Sequence, residues 1–449
     1  MKDFITEPAR NIPVIAETDI CIAGGSCTGV FAAIRAARLG AKVLLIERQN
    51  CLGGVAVSGL VNIWHTLMDI SNKRQIISGL TEEVIDRLYA RGALTKQNAR
   101  SSSYNFNPCE LTVLLDRMTA ENKVKVMLHT SYSAVVREGD KVKAVIIENK
   151  DGRQAIRAKF FIDATGDGDI ARDLGISRFV HEYIQPPTAV FHLQGNMDGV
   201  SLRELIEAHG KEFGLDDDWG WNTHVAGVRG ITMRADNHVF GVRCDRADDL
   251  TAAEIEGRRR AMAFVDMVKA YGRSGEHYAM TNLCSYIGIR ETVHYDTVFR
   301  AIGRDLLLGR EYEAPILHGT YPVDIHHQAD NGITFRYLDG FEQTIYGKGT
   351  RTINGNWRER EGLTGEPAQF YSVPFDILVC RDYRNFTAAG RMINADADAF
   401  GALRVMVNLN QLGEAAGTAA ALCLDSGCDQ RKLNGRFVTA ALNRGGSAL

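Results

Sequence analysis

A small-residue turn between two short apolar runs constrains this chain more than any other stretch. Residues 20–30 read Ile-Cys-Ile-Ala-Gly-Gly-Ser-Cys-Thr-Gly-Val. An alanine-rich segment from Phe31 to Gly40 follows, and Ala41-Lys-Val-Leu-Leu-Ile-Glu47 then closes on an acid. This order predicts strand, turn, helix, strand: the first unit of a dinucleotide-binding fold. Each position has a physical reason. Gly24 permits the sharp turn off the strand, and Gly29 lets the helix approach the sheet. The unpaired N–H groups at the helix start, with the helix dipole, suit a pyrophosphate. Glu47 stands 23 residues after Gly24, where a carboxylate meets a ribose hydroxyl. Ser26 takes the place usually held by a middle glycine and is small enough for close approach.

The rest of the chain organises around that unit. Its 449 residues allow two or three domains with sizeable cores. Residues 1–17 read as an arm, kept from helix by Pro8 and Pro13. After Glu47, the run Cys51-Leu-Gly-Gly-Val-Ala-Val-Ser-Gly59 describes backbone passing close to something flat and bulky. Ile77, Leu80, Val84, Ile85 and Leu88 predict an amphipathic helix over 75–95. Asn107-Pro108 starts another helix, continuing to about Asn122. Lys125–Leu128 reads as a strand, and 134–148 as a hairpin turning at Gly139-Asp140. A third short strand follows Gly152, and Phe160-Phe-Ile-Asp163 is a buried strand ending in a glycine-rich acidic turn, Ala164 to Asp169.

Residues 175–365 change character: they hold most of the histidines, and Trp219, Trp221 and Trp357, with no clear βαβ order. They predict an inserted, mixed α+β substrate or cap domain with one clear helix around 252–271. From Tyr371 the first pattern returns: a strand ends at Gly390-Arg391, a loop spans 392–401, and a long small-residue helix runs on from Ala402. The expected fold is α/β, a Rossmann-like domain with a parallel sheet plus β-meander. It is discontinuous, built from 1–175 and 370–449, with 176–369 inserted. No second glycine-rich βαβ unit announces a separate nicotinamide domain.

Composition excludes other classes. A net charge of −3 argues against a nucleic-acid surface as the main business. The first residues have no apolar signal core, and no apolar run approaches a membrane span. A soluble, cytoplasmic protein is expected, with no membrane or nucleic-acid partner, and compatible with a homo-oligomer. The nine cysteines include no CxxC pair and no Cys/His cluster at zinc spacing, so they read as reduced, mostly buried small hydrophobes, and no metal is expected. Cys51 follows the first βαβ unit, where disulfide reductases carry a redox pair, but no second cysteine stands close by.

Four segments in this order resemble the FAD-dependent oxidoreductase family, within the glutathione-reductase-type flavoprotein class. They are Gly24–Glu47, Leu52–Val61, Ile162-Asp-Ala-Thr-Gly-Asp-Gly-Asp-Ile170, and Ala389-Gly-Arg391 with Leu403–Met406 and Gly413-Glu-Ala-Ala-Gly417. Ile287-Gly-Ile-Arg290-Glu291-Thr and Tyr321-Pro-Val-Asp-Ile-His326 are similar to that family's cap-domain motifs, and the resemblance runs from about 6 to 425.

The resemblance implies FAD, bound non-covalently. Gly24, Gly25, Ser26, Cys27, Thr28 and Gly29 would hold the pyrophosphate, with Glu47, beside Arg48, on the adenosine ribose. Gly53, Gly54, Val55, Ala56 and Ser58 would line the ribityl chain and ring edge, and Tyr132 would meet the adenine. Ala164, Thr165 and Gly166 would form a second contact turn, with Asp167 beside it. Gly390 and Arg391 would pass near the ribityl and phosphate. Leu403, Arg404, Val405 and Met406 would sit at the pyrimidine edge, where a helix N-terminus suits the charge of reduced flavin. One departure stands out: relatives often carry a histidine near the end of the 394–403 loop, where this chain has Phe400.

The expected reaction is hydride transfer between a small polar organic substrate and flavin N5. An NAD(P)H-dependent flavin monooxygenase is the alternative, and a non-catalytic flavin-binding scaffold the reading from another class. A colourless protein that takes up no FAD would exclude both enzymes. Three residues are candidates for handling substrate and proton. His65 follows the flavin-contact loop, against a plain structural histidine. Arg290, beside Glu291, offers a fork for a carboxylate, against a structural ion pair. Asp398, with Asp396, offers a base or a sugar contact, against a helix cap. Asp163, Asp167 and Asp169 suit a cofactor turn better than a metal. The His326-His327 neighbours would point opposite ways on a strand.

Overall fold

The computed structural model describes all residues except 1–2, 98–102, 216–219, 237, 328–329 and 348–350. Trp219 therefore lies outside the described residues. The predicted βαβ unit is present: strand Val14–Ala23, helix Cys27–Arg38 and strand Val43–Ile46. The two strands pair in parallel, Ile20 opposite Val43 through Ala23 opposite Ile46. They are central in a seven-stranded sheet, so both faces are covered and the strands read as continuous apolar runs. Lys125–Met127 extends the sheet in parallel on the far side of Val43–Ile46.

The strand Gly152–Asp163 joins the parallel part of the sheet to the meander. The sequence reads it as two pieces; it is one element of 12 residues. On one side it lies parallel to the first strand along most of its length. On the other it changes partner midway. Residues 152–157 pair antiparallel with the hairpin strand Lys141–Asn149, whereas 161–163 pair in parallel with Phe386–Ala388. The C-terminal part of the chain thereby enters the same sheet as the N-terminal part. The hairpin does turn at Gly139-Asp140, between Ser131–Glu138 and Lys141–Asn149.

Helix Cys27–Arg38 is packed between the sheet and the helix Met406–Ser426, and is buried from Cys27 to Ala36. Gly413 and Gly417, four residues apart on one face, make that packing close. A Cβ at Gly413 would lie 2.2 Å from the Thr28 carbonyl oxygen, and one at Gly417 2.1 Å from that of Ala32. Glu414 sits between these contacts. It accepts from Arg35 Nε at 3.0 Å and from the Leu80 N–H at 3.0 Å, and Arg35 Nη1 donates to the Gly445 carbonyl at 2.9 Å. Removing one partner leaves the other as an unpaired buried charge. Glu414→Ala should therefore cost about 3–5 kcal/mol of unfolding free energy, whereas an apolar replacement of both partners recovers much of it. Chemical denaturation of the two variants checks this.

Helix boundaries are sharper than the sequence pattern suggests. The 75–95 segment is helical over Leu80–Ala90. Helix Pro108–Glu121 starts as expected, with Asn107 Oδ1 accepting from the N–H groups of Cys109 and Glu110. The expected loop before the long helix itself contains a helix, Ala397–Leu403, capped by Asp396, whose side chain accepts from the Ala399 N–H. The chain bends at Arg404-Val405 before the long helix begins.

Residues 176–369 contain two four-stranded antiparallel sheets. One runs in the order Trp221–His224, Ile231–Ala235, Phe191–Gln194, Ala279–Leu283; the helix Ala247–Tyr271 packs on it through Phe264 against Phe191 at 5.5 Å. The other is a meander of Val323–His326, Ile333–Arg336, Phe341–Ile345 and Thr352–Asn356. Among the described residues, no helix is long and apolar enough to cross a membrane.

Candidate active site

One cavity of about 530 Å³ runs from the glycine turn of the βαβ unit into the inserted segment. At its first end the strand-to-helix turn is built by contacts that exclude side chains. Gly24 has φ +102°, and a Cβ there would lie 2.2 Å from the Ala164 carbonyl oxygen. A Cβ at Gly29 would lie 1.9 Å from the Gly24 carbonyl oxygen. Helix geometry leaves the first N–H groups beyond Ser26 without intrahelical acceptors, which makes this end anion-attracting. Glu47 ties the turn to the second strand: Oε2 accepts from the Gly25 N–H at 2.5 Å, and Oε1 from the Gln49 N–H at 2.8 Å.

The second turn is held by Asp163. It accepts from Thr165 Oγ1 at 2.7 Å and from the N–H groups of Ile170 and Ala171 at 2.8 and 3.0 Å. Burial pushes its carboxyl up to about 6. These bonds explain the acid: it brackets the 163–171 turn.

Most sequence-predicted residues meet at this cavity. Gly24, Ser26, Cys27 and Thr28 line it, as do Glu47 and Arg48. So do Gly53, Gly54 and Val55, then Ala164, Thr165 and Gly166. Gly390 and Arg391 join them, with Arg404, Val405 and Met406. Gly25, Gly29 and Ala56 stand just behind these as the frame, and Leu403 is buried in the core. Ser58 is buried too, its carbonyl accepting from the Ser285 N–H at 3.0 Å. Asp167 is held by Arg391 Nη2 at 2.5 Å and Thr292 Oγ1 at 2.9 Å, which positions the arginine. Tyr132 is not among the cavity-lining residues: its hydroxyl donates at 2.9 Å to Asp173, on the short helix Asp169–Asp173 after the second turn.

The catalytic candidates separate. His65 and Arg290 line the cavity. Asp398 does not: it points from the first turn of its helix to Arg336, which donates from Nη1 at 2.9 Å and Nη2 at 3.2 Å. Arg290 and Glu291 are not a pair. Arg290 donates to the Pro186 carbonyl at 2.8 Å and to Thr188, while Glu291 faces two histidines.

Around His65 stands a polar group that the sequence reading did not assemble. Its ring lies 4.3 Å from that of Tyr321. The Tyr321 hydroxyl donates to Asp324 Oδ2 at 2.6 Å, and Arg404 Nη2 donates to the same oxygen at 2.6 Å. Burial, with the Asp324 carboxylate, pushes the Tyr321 phenol well above its ordinary range. Burial pushes the His65 imidazole down to about 4, so it is neutral at pH 7. Beyond this cluster the cavity wall is mixed: Val190, Trp221, Ile287, Ile289, Ile333 and Phe335 stand among Thr188, His238, Arg290 and His326. Tyr321 and Asp324 lie in a segment noted for its family resemblance. The usable signal was period two: within the strand Val323–His326, Asp324 and His326 share the face opposite Val323 and Ile325, and both line the cavity.

Some of the unpartnered buried polar atoms lie here. His65 Nδ1, Asp324 Oδ1, Arg391 Nε, Arg404 Nε and Asn410 Oδ1 are buried without a hydrogen-bond partner, and all five residues line the cavity. Native folds rarely leave such groups unsatisfied, and a polar ligand or ordered water would satisfy them. A glycine-framed, anion-attracting cleft opening onto a chamber with its own polar cluster defines a dinucleotide-dependent enzyme. The chain belongs to the FAD-dependent oxidoreductase family, whose model matches residues 19–442. FAD is its cofactor, and the glycine frame and unpaired polar atoms suit it.

A stretch of 163 residues is 30% identical to mitochondrial dihydrolipoyl dehydrogenase of Schizosaccharomyces pombe, covering 33% of this chain and 28% of that protein. Among solved structures, a geranylgeranyl bacteriochlorophyll reductase-like protein from Thermoplasma acidophilum is 12% identical at TM-score 0.47, over 96% of this chain and 83% of that one. The p-nitrophenol 4-monooxygenase PnpA from Pseudomonas putida is 10% identical at TM-score 0.43, over 96% and 89%.

Proposed function

We propose that this chain is an oxidoreductase of the glutathione-reductase-type flavoprotein class, acting on a small organic substrate held against the His65–Tyr321–Asp324–Arg404 cluster. Residues 1–175 and 370–449 form its FAD-binding domain, and 176–369 its substrate domain. Non-covalently bound FAD supplies a two-electron acceptor for hydride at N5. The first-turn N–H groups, Gly53, Gly54, Thr165 and Arg391 would hold it. Arg404 to Met406 bring a helix start to the same cleft, where partial positive charge favours an electron-rich ring edge.

His65 accepts the proton that leaves the substrate as hydride departs. Its neutrality and its unpartnered Nδ1 support that role. Asp324 positions Tyr321 and Arg404 and keeps the guanidinium compensated. The mixed wall, with Arg290 and Thr188 among apolar residues, supports a small polar organic substrate. The observation that carries this reading is the trio of unpartnered buried atoms in the chamber cluster, His65 Nδ1, Asp324 Oδ1 and Arg404 Nε.

Anaerobic titration tests it. A hydroxy acid, polyol or other alcohol from a metabolite panel should bleach the flavin, and Asp324→Asn should slow that bleaching about 100-fold while the protein stays yellow. Bleaching by NADPH alone would replace this reading with a monooxygenase. A yellow protein that no donor reduces would leave a flavin-binding scaffold.

A further inference from the structure

A second polar cluster lies behind the cavity wall. It joins His181, Glu291 and His294, the latter two close in the chain and the first 110 residues before Glu291. His181 Nδ1 lies 2.5 Å, and His294 Nε2 3.2 Å, from the same carboxylate oxygen, Glu291 Oε1. The outer nitrogens are also engaged. His181 Nε2 is 3.0 Å from the Ala395 carbonyl oxygen, and His294 Nδ1 is 2.9 Å from that of Ile393. Glu291 Oε2 accepts from the Gln185 N–H at 2.8 Å. The Glu291 and His294 side chains are 1% and 0% exposed, and Phe179 and Phe400 pack against the His294 ring. None of the three lines the main cavity, although their neighbours Ile289 and Arg290 do.

Counting protons exposes a problem. Both backbone carbonyls only accept, so the outer nitrogen of each ring carries a proton. The two inner nitrogens then compete for one carboxylate oxygen. If both rings are neutral, two lone pairs face that oxygen. If one is charged, one lone pair still does. If both are charged, two buried imidazolium ions share a single carboxylate, beside the Arg300 guanidinium on the far side of Phe179. A cation between the three donors removes the conflict. Each ring stays neutral, donates outward to its carbonyl and turns its inner lone pair to the ion. Metal-binding histidines are oriented in this way.

We propose that His181 Nδ1, His294 Nε2 and Glu291 bind one divalent transition-metal ion, zinc. Two imidazoles and a carboxylate are a zinc donor set, with one position left for water. Bonds of about 2.0–2.1 Å place tetrahedral donors roughly 3.3 Å apart. The 3.2 Å separation at His294 already meets this, and the 2.5 Å separation at His181 opens by less than an ångström. The role is structural. The ion pins residues 393–395, the segment that leads through helix Ala397–Leu403 to Arg404 and Met406 at the cavity. Phe400, where relatives often carry a histidine, packs against both histidine rings.

The test uses the FAD-loaded protein without a histidine tag, grown in zinc-supplemented medium and desalted. Mass spectrometry should find close to one zinc per chain, and X-ray absorption at the zinc edge should show two imidazole ligands. His294→Gln and His181→Asn preserve a hydrogen-bonding atom near each inner nitrogen. Both should lose the zinc and melt at lower temperature, while keeping the flavin spectrum. Background zinc in the wild-type protein, with no rise in melting temperature when zinc is added after chelation, overturns the proposal. So does stoichiometric zinc that survives in both variants. Should the variants fail to fold, metal content and absorption spectrum of the wild-type protein decide.

Discussion

Gly29→Ala yields a colourless or insoluble protein. A methyl at this position would meet the Gly24 carbonyl oxygen at 1.9 Å and the Ala164 side chain at 3.2 Å. None of these atoms can retreat cheaply. Gly24 is at the strand-to-helix turn, and Ala164 belongs to the second turn that Asp163 brackets. The helix would have to move off the sheet, carrying its N–H groups away from the cleft. Overpacking of this kind costs about 1–3 kcal/mol or more. The displaced helix start also removes the anion-attracting end of the FAD site. Flavin absorbance per chain, read beside a melting curve, checks this. Gly365→Ala is the control: a Cβ there meets nothing within 4 Å, and that variant should stay yellow.

His65→Ala keeps the flavin but lowers the rate of substrate-driven flavin reduction by about 10²–10⁴-fold, the usual worth of a general base. The wild-type pH profile should follow the same group. Burial brings His65 down to about 4, so the imidazole is a proton acceptor throughout the neutral range. The rate should be flat above about pH 5 and fall as the pH drops through about 4, where the ring becomes charged and can no longer accept. In His65→Ala that acidic limb should vanish along with the rate. A rate that falls near pH 6.5 instead would mean a solvated histidine, and would remove His65 from the chemistry. Stopped-flow reduction under anaerobic conditions, over a pH range in which the flavin stays bound, measures both effects.

These predictions differ in how far the sequence alone supports them. The Gly24–Glu47 unit is legible because its main constraints are local: strand, turn and helix start are adjacent in the chain, Gly24 is required by its own φ of +102°, and Gly29 by the Gly24 carbonyl. The Asn107 cap and the Gly139-Asp140 turn are legible for the same reason. The Asp398 candidacy fails on direction. Composition and position recommend it, but the first turn of helix Ala397–Leu403 aims it at Arg336, 62 residues away. The neighbours Arg290 and Glu291 separate: Arg290 lines the cavity and Glu291 does not. Their side chains find Thr188 on one side and two histidines on the other.

Short-range spacing was enough to establish a dinucleotide-type turn, an α/β architecture and a chain whose two ends share one domain pattern. The chemistry around that turn depends on longer reach. Asp324 meets Arg404 across 80 residues, and His181 meets Glu291 across 110. Such encounters leave no periodic trace, because each partner obeys only its own strand or helix. They form when the strand Gly152–Asp163 draws Phe386–Ala388 into the sheet and the chain bends at Arg404-Val405. Packing then brings isolated polar residues into a common dry space, where desolvation, absent from an extended chain, tunes each group.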